Sequence, residues 1–246
     1  MDDYKKFHQL HHGPKTFLLA NAWNVKSAQL IEQAGFEAIA TSSGAIANSL
    51  GYEDGEKIPF RELLYIVQRI KANTRLPLSV DMERGYSNEL NILTDNIQKL
   101  IDCGVVGINI EDAQGEDIYL KKLERIKSYL ARTHQSLFIN ARTDVFIQKL
   151  PSPLETTIQR AQRYVDAGAD GLFVPAVADP GFIKEITSSV SLPVNMVGSP
   201  KLSVEALTGL GVKRISMAVL LYKATYHQME SIARSIKDDN SIARMF

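Results

Sequence analysis

Residues 100–112 read Leu-Ile-Asp-Cys-Gly-Val-Val-Gly-Ile-Asn-Ile-Glu-Asp, and the hydrophobic period changes in the middle of the stretch. Leu100 and Ile101 close a run of helical spacing that begins near residue 88, and Gly104 offers the left-handed cap that ends a helix. From Val105 the pattern becomes a short β-branched strand, which runs out in two carboxylates, Glu111 and Asp112. The same unit recurs. Ala34-Gly35-Phe36 and Ala167-Gly168-Ala169-Asp170 stand in the equivalent place, each ahead of another apolar run. Outward from this unit, strands are expected over 16–21, 38–43, 77–83, 105–112, 137–143, 171–176, 193–198 and 214–217. Helices are expected between them, among others over 25–34, 59–72, 88–102, 118–131 and 153–167. Eight strands alternating with helices predict a single-domain (β/α)₈ TIM barrel, and the 246 residues match the roughly 250 typical of that fold. A doubly wound open sheet would want a glycine-rich GxGxxG turn after its first strand, and none is present.

Composition narrows the function. Hydrophobic residues make up 45% and charged residues 23%, the balance of a globular chain with one sizeable core. Twenty-eight basic residues balance twenty-eight acidic ones, so no net field draws the chain to nucleic acid or to an anionic membrane. No run approaches the roughly 18 apolar residues of a membrane span. The single cysteine, Cys103, excludes an internal disulfide and a multi-cysteine zinc site, and it suits a reducing, cytoplasmic location. His8, His11 and His12 lie in a polar segment, expected as a solvated arm over about 1–13 rather than a metal site. An amphipathic helix is expected over about 219–237, with an apolar face for the barrel or for a partner.

In a barrel of this kind chemistry belongs to the C-terminal ends of the strands. The third strand ends Ser79-Val80-Asp81-Met82-Glu83, where spacing by two puts both carboxylates on one face, and the fourth adds Glu111 from next door. Three acids without a cation would repel one another and raise each other's pKa. An all-oxygen set favours Mg²⁺ or Mn²⁺ over Zn²⁺. Pairing of these acids with basic side chains at the rim is the plainer alternative. The fifth strand places Asn140 and Arg142 on one face, and Arg142 serves either as a neutraliser of the acids or as a bidentate receiver of a substrate carboxylate. Small residues at Ser42, Ser43 and Gly44 let backbone amides approach an anion, or simply make a tight turn. Asn195 is read either as a substrate donor or as part of an interior polar layer, and Trp23 as a pocket wall or as packing.

Together these residues resemble the phosphoenolpyruvate mutase / isocitrate lyase superfamily across most of the chain. The resemblance is carried by Asp81-Met82-Glu83-Arg84-Gly85-Tyr86, Ile110-Glu111-Asp112, Asn140-Ala141-Arg142-Thr143-Asp144, Thr41-Ser42-Ser43-Gly44 and Gly51-Tyr52-Glu53-Asp54. It implies that Asp81 contacts Mg²⁺ directly while Glu83 and Glu111 hold its waters. Arg142 and the backbone of Ser42, Ser43 and Gly44 would bind the carboxylate and oxo oxygen of a small 2-oxo acid, with Asp54 near the reacting centre. The implied activity is a Mg²⁺-dependent carbon–carbon lyase working through an enolate, as in oxaloacetate decarboxylation. Phosphonopyruvate hydrolysis or phosphonomutation is the rival within the fold, and a non-catalytic 2-oxo acid binder the rival of another class. The resemblance also implies a homo-oligomer. One departure is clear: the thiol-dependent lyases carry Lys-x-Cys-Gly-His after the fourth strand, where this chain has Ala113-Gln114-Gly115-Glu116-Asp117. A lysine Schiff-base aldolase is disfavoured as well, because the sixth strand ends Phe173-Val174-Pro175-Ala176 without a lysine.

Overall fold

The computed structural model describes residues 2–245, and in it the expected alternation closes on itself. Eight parallel strands follow one another around the ring in chain order: β1 (Phe17–Ala22), β2 (Ile39–Thr41), β3 (Leu78–Asp81), β4 (Gly107–Glu111), β5 (Phe138–Arg142), β6 (Gly171–Phe173), β7 (Val194–Val197) and β8 (Arg214–Ser216). The ring is sealed where β8 pairs with β1, Arg214 standing beside Phe17. Every strand falls within an expected run except β1, which is displaced by one residue.

Helices α1 (Asp3–His12), α2 (Val25–Gln33), α3 (Ser43–Ser49), α4 (Phe60–Lys71), α5 (Leu90–Asp102), α6 (Glu116–Thr133), α7 (Pro153–Asp166), α8 (Pro180–Ser189), α9 (Val204–Gly209) and α10 (Leu220–Asp239) complete the fold. Their apolar stripes face the ring: α4 buries Leu63, Val67 and Ile70, and α5 buries Leu93, Ile97 and Leu100, spaced by four and then three as one helix face requires. Gly35, Gly104 and Gly168 all take positive φ, as expected of helix-ending glycines. No helix among the described residues is long and apolar enough to cross a membrane.

Alternation by two along each strand splits the interior. Outward-facing Ile39, Leu78, Val80, Ile108, Ile110, Ile139, Leu172, Val194 and Ile215 join the helices in the main apolar layer. Inward-facing Phe17, Leu19, Ala38, Ala40 and Phe138 form a separate core at the base of the barrel together with Phe7. That corrects the expectation of a solvated arm at 1–13. The segment is helical from Asp3, and Phe7 and His11, four apart on one face, are buried beneath the strands. The His11 ring stacks on Phe138 at 4.0 Å, and Phe7 meets Phe138 edge-on at 5.6 Å. Gly107 makes room for the plug, since a Cβ there would stand 2.8 Å from the Phe7 ring.

Above this apolar plug the lumen turns polar. Asn140 donates to Asn109 at 2.9 Å, and the fully buried Arg214 donates to Asn109 at 3.3 Å and to Ser216 at 3.1 Å. Ser216 in turn donates to Asn195 at 3.0 Å. Burial lowers the Arg214 pKa to about 9, and the negative charge of Asp81 opposes that shift. One step higher the strands reach the mouth, where the acids stand.

Candidate active site

At the mouth a cavity of about 450 Å³ is lined by Ser42, Ser43, Gly44, Asp54, Asp81 and Arg142, together with Asn48, Tyr52, Glu53 and the first turn of α10. Each side chain has a local cause. Ser42 follows β2 and caps α3, its hydroxyl accepting from the Ala45 amide at 3.3 Å. The amides of Ser43 and Gly44 thereby fall in the first turn of a helix, where no intrahelical acceptor is available. In place of the tight turn that stood as the alternative reading, the segment opens a short helix. Ser43 donates through its hydroxyl to Asp81 Oδ2 at 2.9 Å, which joins the amide cluster to the carboxylates. Gly44 lies close to Asp54: a Cβ there would meet Asp54 Oδ2 at 2.9 Å, so the carboxylate would have to shift.

The sequence placed Asp81 and Glu83 on one face of a strand, but β3 stops at Asp81. Glu83 turns back instead, with φ of 48°, a left-handed conformation costing about 1–2 kcal/mol for a residue with a Cβ. The turn is held from both sides. Glu83 O accepts from the Glu111 amide at 2.8 Å, and Glu56 accepts from the amides of Arg84 and Tyr86 at 2.9 and 2.7 Å. Burial pushes the Glu83 carboxyl up to about 7, and the charges of Asp81, Asp54 and Glu56 add to the shift. Glu111 is pushed up to about 8 by burial, with Arg142 pulling the other way and Asp81, Asp144 and Glu83 adding to the rise. Asp81, Glu83 and Glu111 therefore do share one electrostatic neighbourhood.

Arg142 is more heavily engaged than the sequence suggested. Its Nη1 pairs with Glu111 at 2.7 Å, while Nε and Nη2 donate to Asp144 at 2.6 and 3.1 Å. So the plainer reading holds for Glu111, which does pair with a basic neighbour. A guanidinium has five N–H donors, and these three contacts leave one on each Nη unassigned, on a side chain that lines the cavity. The partners that aim it were missed in the sequence. Asp144 lies two residues further along the same motif. Behind it, buried Asp112 accepts from Thr143 Oγ1 at 2.8 Å, the Asp144 amide at 2.7 Å, Arg160 at 2.5 Å and Tyr164 at 2.6 Å, fixing the ends of β4 and β5 together.

Two expected substrate contacts fall elsewhere. Asn195 belongs to the polar layer beneath the mouth, accepting from Ser216, and does not line the cavity. Trp23 lines a separate apolar groove between α2 and α10, where its ring meets that of Tyr222 edge-on at 5.2 Å. It supports the cavity wall from behind. Tyr222 and Lys223 enter that wall from α10, a contribution the sequence signalled only as an amphipathic helix.

The donor set suits a hard cation through oxygen. Among the described residues no three acids, histidines or cysteines converge closely enough to chelate a metal directly. A cation here would bind one carboxylate, Asp81, and reach the raised-pKa pair Glu83 and Glu111 through water, the manner of Mg²⁺.

Residues 7–237 match the family model for phosphoenolpyruvate phosphomutase. The chain belongs to the phosphoenolpyruvate mutase / isocitrate lyase superfamily, whose members include carbon–carbon lyases and mutases. It is 31% identical over 213 residues to an oxaloacetate decarboxylase of Rhodopseudomonas palustris, covering 81% of this chain and 72% of that protein. Among solved structures it is similar to a candidate phosphonomutase from Burkholderia cenocepacia, with a TM-score of 0.89 and 32% identity over 94% of this chain and 99% of the other. A phosphonopyruvate hydrolase solved with oxalate and Mg²⁺ shares the fold at a TM-score of 0.88 and 21% identity, over 99% of this chain and 90% of that one.

Proposed function

We propose that the protein is a Mg²⁺-dependent lyase that cleaves a carbon–carbon bond of a small 2-oxo acid, releasing a pyruvate-like enolate. The observation that carries this reading is the meeting, around one cavity, of Arg142, of Ser43 and Gly44 in the first turn of α3, and of Asp81. Arg142 receives the substrate carboxylate, pre-aimed by Asp144 and Glu111 so that little order is lost on binding. The amides offer fixed dipoles to the oxo oxygen as negative charge gathers there. Asp54, seated over Gly44, stands where it can exchange a proton with the methylene carbon. Mg²⁺, held by Asp81 with Glu83 and Glu111 in its water shell, would supply the positive charge that favours the enolate form. The exposed apolar residues of α10, Leu220, Tyr226, Met229 and Ile232, support a homo-oligomer.

The test is a panel of oxaloacetate, phosphonopyruvate and hydroxylated or branched 2-oxo acids, with and without Mg²⁺, followed by pyruvate release. Mg²⁺-dependent pyruvate release from a carbon-linked substrate is expected. Phosphate release confined to phosphonopyruvate replaces the lyase reading by hydrolysis. Ligand-dependent thermal stabilisation without turnover of any substrate makes the protein a binder.

A further inference from the structure

We infer that Lys223 reads a second carboxylate on the substrate, so that the cavity selects 2-oxo dicarboxylates over 2-oxo acids with a neutral tail; the inference rests on the oxo-acid reading above. Two basic residues line the cavity, Arg142 at the end of β5 and Lys223 in the first turn of α10, which follows β8. Three strand-to-strand steps separate β5 from β8 around the closed ring, so the two charges stand on different walls. A molecule with an acid group at each end would meet both.

Their engagement differs. Arg142 is held by Glu111 and Asp144, whereas Lys223 has no ion pair or side-chain hydrogen bond among the described residues. Glu53 and Asp54 line the same cavity, so a second carboxylate would be repelled from most of this side and drawn to the one basic group there. Lysine, a compact charge on a flexible stem, suits a terminal carboxylate that differs in reach from one substrate to the next.

The backbone that carries Lys223 is fixed. The Ala218 amide, in a left-handed turn with φ of 48°, donates to Asn21 Oδ1 at 2.8 Å, tying the start of α10 to β1. Tyr222, buried against Trp23, donates from its hydroxyl to Asn48 Oδ1 at 2.5 Å, which ties the same turn to α3. Lys223 N donates to Val219 O at 3.0 Å. Helical side chains lean toward the N-terminus of their helix, and for α10 that end is the barrel mouth.

The experiment compares kcat/KM of the full chain, with Mg²⁺, for two 2-oxo acids that differ only in a terminal carboxylate against a terminal methyl group, in the natural sequence and in Lys223→Ala, Lys223→Glu and Lys223→Arg. In Lys223→Ala the preference for the dicarboxylate is expected to fall about two- to fivefold, through KM rather than kcat, as for a solvent-exposed ion pair. Lys223→Glu lowers it further, Lys223→Arg restores most of it, and added salt weakens the preference of the natural sequence. An unchanged ratio in Lys223→Ala overturns the inference. Should neither acid be turned over, the lyase reading fails, and the same ratio is read from thermal stabilisation by the two acids. A dicarboxylate preference that Lys223→Ala removes then upholds the inference, and equal stabilisation rejects it.

Discussion

Along β5 the side chains that enter the barrel are Phe138, Asn140 and Arg142, so that two steps of two residues lead from an aromatic plug through a neutral amide to an ion. The base and the mouth of the lumen thus share a scaffold and differ in what they must tolerate. At the base, polar atoms would be sealed from water, and Phe7, Phe17 and Phe138 fill the space around His11. At the mouth, acids crowd together although burial raises the pKa values of Glu83, Glu111 and Asp144. The contrast teaches that one end of the barrel is built for stability and the other for a charged ligand, as the fold generally divides them.

Three changes should separate the two ends, beginning with the largest effect. Phe7→Ala empties the plug and is expected to cost about 3–5 kcal/mol of unfolding free energy, as for other buried phenylalanines, with kcat/KM per folded molecule preserved. Denaturant unfolding beside an assay on the folded fraction reads both, and a parallel loss of activity would join the two ends functionally. Asp81→Ala should do the reverse. It is expected to reduce Mg²⁺-dependent turnover by about 10²–10³-fold, or about 2.7–4 kcal/mol, while the melting temperature holds or rises because a repulsive charge is gone. Wild-type turnover in that variant would remove Asp81 from the metal assignment.

His11 sets the smallest effect, and it sharpens the contrast through pH. Burial holds its pKa well below 6.5, and the charge of Arg214 lowers it further. The unfolded chain therefore takes up a proton below about pH 6.5 that the folded one refuses, and stability falls as the pH drops from there toward the folded-state pKa. The slope for one such group approaches about 1.4 kcal/mol per pH unit, and His11→Phe should reduce the acid sensitivity by that amount. Equal pH profiles for the two proteins would show that His11 is not the sensor.

Much of this was legible in the chain. Strand alternation and glycine punctuation were enough to place the ring, because a parallel sheet buried on both faces leaves long apolar β-branched runs. Asp81, Glu111 and Arg142 were legible because they end such runs. The base was not. In α1 only Phe7 and His11 are fully buried, with Tyr4 and Leu10 packed partly against the same core, and the rest of the helix is polar, so composition masked the buried face. Glu83 was placed in the right neighbourhood for the wrong reason, since its position depends on a left-handed turn clamped by Glu56, a long-range contact without local signature. Asp112 was hidden beside Glu111, because adjacent strand residues face opposite ways and only one of them can serve the mouth.

The cavity wall drawn from α10 has a consequence for how such a protein diversifies. Asp81, Glu111 and Arg142 end strands locked by their neighbours, whereas α10 buries only Tyr222 within its own subunit. Substitution along that helix touches little of the subunit's core, yet its first turn lines the candidate cavity. The wall of the cavity can therefore be reshaped by editing a peripheral segment, with Asp81, Glu111 and Arg142 left as they are.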